Sequence, residues 1–244
     1  CLVPPGDLNG ALHGDWVIAA VTRYGGQGST PQARVTRRLD PEKPVELASE
    51  AAIARFDLPQ EFSPEAVREA EAYGNAVDPA EAARRVDLRG LPLVTIDGDD
   101  AKDFDDAVYA EPHPKGFRLI VAIADVSYYV RRGTALDASA RERGTSVYFP
   151  TRVIPMLPFA LSNVLCSLQP NVGRLCFAAD MIVSKAGVLM DASFYPAIMR
   201  SAHRLTYTKA FGALFEGRPD VRAELGALTD KLLPLLDVYR ALLK

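Results

Sequence analysis

The chain has 244 residues, 48% of them hydrophobic, which is enough for one large domain or two modest ones. Its 28 Lys and Arg stand against 31 Asp and Glu. The formal charge of −3 argues against a uniformly basic surface that holds nucleic acid by charge alone. Cys1, Cys166 and Cys176 form no Cys-x-x-Cys pair and no even set, which argues against a zinc site and a disulfide scaffold and fits a reducing compartment.

Residues 1 to about 40 read as β structure. Asp15 to Arg23 is a strand-like run, Tyr24-Gly25-Gly26-Gln27-Gly28-Ser29 is a loop, and Gln32 to Leu39 is a second strand. With Arg23, Arg34, Arg37 and Arg38, this hairpin suits the end of a small barrel that touches an RNA backbone. Residues 41–85 are rich in Ala, Glu and Pro and are expected to form a helical connector with no chemistry of its own. Ser49 is expected to cap one helix, Ser63-Pro64-Glu65 to open a second, and Asp78-Pro79-Ala80-Glu81 has the spacing of a capping box for a third.

From Val86 the composition turns apolar. Leu91 to Ile96 and Ala107 to Ala110 read as short strands on either side of Asp97-Gly98-Asp99-Asp100-Ala101-Lys102-Asp103-Phe104-Asp105-Asp106. Six aspartates against Lys102 give that stretch a charge of −5. Carboxylates held together at strand ends repel one another unless a cation intervenes, and an all-oxygen donor set suits a hard divalent ion such as Mg²⁺. The plain alternative is a solvated acidic loop.

Phe117 to Ala124 is almost continuously apolar and predicts a buried central strand ending at Asp125, which either supports the acidic site or caps a turn. Between Arg131 and Arg152 the charge reverses, with five arginines against Asp137 and Glu142 for a balance of +3. An acidic site followed by a basic, tyrosine-bearing stretch suits phosphodiester chemistry. A turn at Pro155 to Pro158 leads into a short helix through Leu168, where Cys166 reads as a buried small residue.

Leu175–Ser184 and Gly187–Tyr195 predict two antiparallel strands, and Thr206 onward is helical, interrupted at Pro234. His13, His113 and His203 show no ligand spacing. There is no signal peptide and no apolar run long enough to cross a membrane, so a cytoplasmic protein without a membrane partner is expected. The chain starts at Cys1 and stops at Lys244 within a helical pattern, so a fragment of a longer protein is expected. The fold class expected is α+β: a mixed, largely antiparallel sheet with helices over 86–244, after the connector and a partial OB-like β region over 1–40.

Three acidic patterns can be compared with residues 97–106. An EF-hand loop needs Gly at its sixth position and Glu at its twelfth. Counted from Asp97, those are Lys102 and Val108. An aspartyl-phosphate phosphatase would use Asp97 as nucleophile and Asp99 as acid, but Ala101 stands where Thr or Val is usual. The third pattern is Asp97, five residues, then Asp103-Phe104-Asp105-Asp106, after Thr95-Ile96 and before Ala107-Val108. It is similar to the catalytic signature of the ribonuclease II (RNB) family. The resemblance continues through Val121 to Val130, Arg143 to Pro150, Val153 to Pro158, Leu161 to Leu168 and Arg204 to Lys209, and so covers about residues 86–211.

The resemblance implies an RNB-type catalytic domain, truncated here, behind the tail of a second cold-shock domain. It implies a Mg²⁺-dependent (or Mn²⁺-dependent) exoribonuclease acting processively on single-stranded RNA from the 3′ end and releasing nucleoside 5′-monophosphates. Asp97, Asp103, Asp105 and Asp106 are the implied metal ligands, with Asp105 and Asp106 catalytic. Asp97 and Asp106 would hold one ion against the scissile phosphate, and a second would be shared with Asp103 and Asp105. Tyr148 would stack on the terminal nucleotide, and Arg152 would contact phosphate. Asp99 and Asp100 are expected to point elsewhere. In that family the second half of the catalytic domain and an S1-type domain complete the enzyme, as a monomer. A stretch ending at Lys244 is therefore expected to be inactive by itself. Two readings stand beside this one: an RNA-binding piece with an idle site, and the phosphatase.

Overall fold

The computed structural model describes residues 1–26 and 28–244. It divides into two compact units, Cys1–Glu61 with Arg143–Met156, and Phe62–Glu142 with Leu157–Lys244. The first unit opens with β1 (Val17–Arg23), β2 (Gln32–Arg38) and α1 (Pro44–Arg55). The second begins with α2 (Pro64–Glu71), α3 (Pro79–Ala82), β3 (Val86–Asp87), β4 (Val94–Asp97), β5 (Asp106–His113), β6 (Gly116–Ala124), α4 (Val126–Tyr129) and α5 (Ala135–Arg143). The chain returns to the first unit for β7 (Val147–Tyr148) and β8 (Val153–Ile154). It then continues the second with a π-helical turn (Ala160–Leu165), β9 (Gly173–Val183), β10 (Leu189–Arg200), β11 (His203–Thr206), α6 (Tyr207–Leu214), α7 (Pro219–Leu225) and α8 (Leu228–Leu242).

Proline sets several helix starts. Pro44, Pro64, Pro79 and Pro219 all stand in the first turn, where a missing N–H costs nothing. Ser63 caps α2 as expected, accepting from the Ala66 amide at 3.1 Å. Ser49 does not cap a helix. With α1 already begun at Pro44, Ser49 lies inside it, buried, and its hydroxyl donates to the Val45 carbonyl. Asp78 caps α3, but the expected reciprocal contact from Glu81 is replaced by an ion pair with Arg85 at 2.7 Å.

The first unit pairs β1 and β2 as an antiparallel hairpin and β7 with β8 as a two-residue ladder. The second unit is built on a seven-stranded sheet ordered β11-β4-β5-β6-β9-β10-β3. The inner pairings are antiparallel, and the two outermost, β11 with β4 and β10 with β3, are parallel. This is the mixed, largely antiparallel sheet expected.

The sheet's core lies between β4, β11 and the three terminal helices. Val94, Leu205, Ala213, Leu232 and Leu236 are buried together there. That packing explains why Pro234 does not break α8: Leu232 and Leu236, either side of it, are 1% and 6% exposed. Their burial holds the helix across one missing hydrogen bond. Strand β6 is central as expected, but it is not dry on both faces. Ile120 and Ala122 are fully buried, whereas Ile123 is 47% exposed, in a cross-strand row with exposed Asp106 and Phe177.

Asp125 settles into structure at the end of β6. It caps α4, accepts from the Ser127 hydroxyl at 2.6 Å and takes Arg85 Nη1 at 2.7 Å. Burial opposes its ionisation, but the Ser127 hydroxyl and the Arg85 guanidinium outweigh that and hold its pKa below the ordinary 3.8. The Arg85 and Asp125 side chains are both buried, and Glu81 stays paired with Arg85 when Asp125 is neutralised, so the loss is one charged hydrogen-bond partner and not a stranded charge. Asp125→Asn is expected to cost about 1–3 kcal/mol of stability at neutral pH. A group with a depressed folded pKa contributes above its unfolded value and loses that contribution as pH falls through the folded one. The difference between wild type and Asp125→Asn in chemical denaturation should therefore be full at pH 7 and shrink below about 3.8.

Candidate active site

Four carboxylates gather where β4 ends and β5 begins. Asp97 is the last residue of β4 and Asp106 the first of β5, and these strands are antiparallel neighbours, with Val94 opposite Val108. Antiparallel pairing brings the end of one strand beside the start of the next. The connection between them is held from outside. Arg204, on β11, donates through Nη2 to the carbonyls of Gly98 and Asp99, and its guanidinium lies 5.5 Å from the Phe104 ring. The Phe104 amide donates to Ser167 Oγ at 3.1 Å, and the Phe104 carbonyl accepts from the Leu168 amide at 2.8 Å. The Asp105 carbonyl accepts from the Ala124 amide. Phe104 is buried, 7% exposed, so in extended chain its neighbours Asp103 and Asp105 are carried to the other side.

Asp97 and Asp105 both feel the charges of their acidic neighbours. Desolvation, then the charges of Asp106 and Asp103, raise the pKa of Asp97, with Arg204 opposing. Desolvation, then Asp103, Asp106 and Asp97, raise that of Asp105. Asp99 and Asp100 are exposed on the connection. A raised carboxylate pKa means the ionised form is disfavoured, and a divalent cation relieves that condition. Carboxylates without His or Cys are the donor set of a hard ion such as Mg²⁺. Among the described residues, no three His, Cys, Asp or Glu side chains stand as a ready-made metal group. Holding an ion there would require the four side chains to close on it.

A model of the RNB domain matches residues 85–244, and a model of the cold shock domain matches residues 1–63. The chain belongs to the RNB family. Ribonuclease R of Escherichia coli is 46% identical over 243 residues, which is 99% of this chain and 30% of that protein. Ribonuclease R of Thermotoga maritima is 41% identical over 210 residues, 85% of this chain and 30% of that one. The chain thus spans under a third of the length of these curated relatives. Among solved structures, Mycoplasma genitalium RNase R in complex with ribose-methylated single-stranded RNA superposes with a TM-score of 0.84 at 26% identity. That match covers 98% of this chain and 37% of the other. Yeast Ssd1, a pseudonuclease, shares the fold at a TM-score of 0.63 and 13% identity, over 93% of this chain and 28% of that one.

The remaining residues singled out in this RNB chain lie in different settings. Tyr148 and Arg152 belong to the first unit, the four aspartates to the second. Tyr148 is 64% exposed on β7. Arg152 is engaged within its unit, by Glu50 at 3.0 Å and by the Gln60 side chain at 3.3 Å, and Glu50 also pairs with Arg37. Cys166 is buried, and burial pushes its thiol pKa up to about 12, which makes it inert as a nucleophile.

Sequence reasoning assigned no role to Ser167 or Arg204. For Ser167 a signal existed: a lone hydroxyl between Cys166 and Leu168, in an apolar run, has to find a partner. For Arg204 there was none, since its partners lie more than a hundred positions away.

Partial desolvation and then the neighbouring carboxylates disfavour ionised Asp105, only weakly because the residue is exposed, so the acidic connection subtracts a little from the stability of the fold. Asp105→Asn should melt at a higher temperature than wild type at pH 7 in EDTA. A raised folded pKa is a penalty above that value which vanishes below the unfolded one, so the two curves should converge as pH falls to about 3.8. Scanning calorimetry at both pH values checks this.

Proposed function

We propose that the protein is a Mg²⁺-dependent exoribonuclease that shortens single-stranded RNA from the 3′ end and releases nucleoside 5′-monophosphates. One observation carries the reading: in an RNB-family chain, Asp97, Asp103, Asp105 and Asp106 lie where two paired strands meet, and the charges of Asp103 and Asp106 add to desolvation in raising the pKa of both Asp97 and Asp105. These four carboxylates would hold Mg²⁺, or Mn²⁺ in its place. The bound ions would neutralise the scissile phosphate and supply an activated water at neutral pH. The protein's own part would be to fix the carboxylates at and between two paired strand ends and to deliver the last phosphodiester to them. Tyr148, exposed in a basic stretch, is assigned to the base of the last nucleotide, since stacking on an aromatic ring tolerates any base. Arg152 would reach a phosphate only by exchanging Glu50 and Gln60 for it. Turnover would also need the segments that the longer relatives carry, the second half of the catalytic domain and an S1-type domain.

A second reading is an RNA-binding member with an idle site, since the fold itself also occurs in a pseudonuclease. Retention of all four carboxylates favours the enzyme. The full-length protein with Mg²⁺ should degrade a 3′-tailed RNA to mononucleotides and a short end product. Cleavage should stop in EDTA, and RNA binding without cleavage in Mg²⁺ and Mn²⁺ would establish the idle reading. Asp105→Asn should lower the cleavage rate by at least about a hundredfold while RNA affinity by filter binding stays within a few-fold, because most affinity comes from phosphate contacts. Tyr148→Ala should leave long-RNA affinity nearly unchanged and alter the length of the final product on a sequencing gel, with an expected loss of about 1–3 kcal/mol for the shortest RNAs. Wild-type end products at wild-type rates would remove Tyr148 from the site.

A further inference from the structure

The aspartate connection makes little structure of its own. Within residues 98–105 the internal backbone bond is the turn from the Ala101 amide to the Gly98 carbonyl, and it is long at 3.3 Å. Its conformation therefore comes from groups elsewhere in the fold, and the one side chain among these that is fully buried and bonds the connection twice is Ser167, at 0% exposure. The Ser167 hydroxyl accepts from the Phe104 amide at 3.1 Å and donates to the Lys102 carbonyl at 3.1 Å. Those two groups bracket Asp103. We propose that Ser167 is a positioning residue for the carboxylate site: its single hydroxyl fixes the backbone on both sides of Asp103 and so sets where Asp103 and Asp105 stand. The proposal rests on the reading of those aspartates as the cation-binding site.

A hydroxyl offers one donor and can accept as well, and Ser167 uses both functions on backbone groups. The clasp is rigid because Ser167 is itself held. The Leu168 amide donates to the Phe104 carbonyl at 2.8 Å, giving residues 167–168 a further bond to the same turn of chain. The Ser167 carbonyl accepts from Arg174 Nε at 3.1 Å and from the Gln169 amide at 2.8 Å. Arg174 is 3% exposed and sits on β9, in the interior of the sheet. A continuous line of hydrogen bonds thus runs from a central strand through Arg174 and Ser167 to the residues either side of Asp103. Leu165, Cys166 and Leu168 are buried like Ser167 itself, so the segment that carries the hydroxyl is closed off from water. Removing it would leave a donor and an acceptor unpaired at the root of the site, and the segment would relax toward water.

The test uses the full-length protein carrying Ser167→Ala, and Ser167→Cys as a variant of nearly the same shape with poor hydrogen-bonding capacity. Three quantities are read: deuterium uptake of the 102–106 segment, Mn²⁺ affinity by electron paramagnetic resonance, and kcat and KM on a 3′-tailed RNA. Both variants should exchange faster at 102–106 and lose roughly 10–100-fold in Mn²⁺ affinity or in kcat, the range found when a supporting partner of a metal ligand is removed, with KM nearly unchanged. Variants that melt earlier but keep wild-type kcat and Mn²⁺ affinity would show Ser167 to be merely structural and overturn the proposal. A wild-type protein that cuts no RNA in Mg²⁺ would remove the exoribonuclease reading instead. The role of Ser167 would then be decided by Mn²⁺ affinity and exchange alone, and unchanged values for both would end it.

Discussion

The pairing of β4 with β5 is the constraint on which the second unit turns. It brings Asp97 and Asp106 to adjoining strand ends and leaves Asp103 and Asp105 between them, so that like charges are held where they oppose one another. Such an arrangement is unfavourable in isolation and is kept only if the surrounding structure over-determines it. The surroundings do this. Three terminal helices cover the β11–β4 end of the sheet, Phe104 is anchored in the interior, and hydrogen bonds from β6, β11 and the segment after the π-turn reach the acidic connection.

The buried ionic groups nearby are handled differently. Arg85, Asp125 and Glu81 satisfy one another, and on the open sheet surface Arg118 joins Glu111 and Asp180 while Tyr195 donates to Asp180. In those clusters every acid has a guanidinium, and the pKa values of Asp125, Glu111 and Asp180 fall below their ordinary values. At residues 97–106 the shifts run the other way: desolvation and then the charges of neighbouring carboxylates raise the pKa of Asp97 and of Asp105, with Arg204 opposing at Asp97. The contrast sets acids paired within the fold apart from the acids of the connection, whose proposed partner is a cation.

Membership of the family and possession of the chemistry are separate matters. The fold is shared with RNase R structures bound to RNA and with a pseudonuclease, so the sheet alone does not decide activity. The exoribonuclease reading proposed for this chain therefore rests on the carboxylates at the β4–β5 junction and not on the sheet.

Local pattern alone was enough for the short apolar runs that became β4, β5, β6, β9 and β10, the proline- and serine-marked start of α2, and the acidic stretch with its family signature. These are legible because each depends on residues within a few positions of one another. It did not determine which of two roles Asp125 takes, whether Pro234 ends a helix, or what holds Phe104. Those answers depend on Arg85, forty positions from Asp125, on Leu205 and Val94 beneath α8, and on Ser167, more than sixty positions beyond the loop it fixes. Local propensity carries no record of such partners, because burial and hydrogen bonding across the sheet arise only once distant segments are packed together.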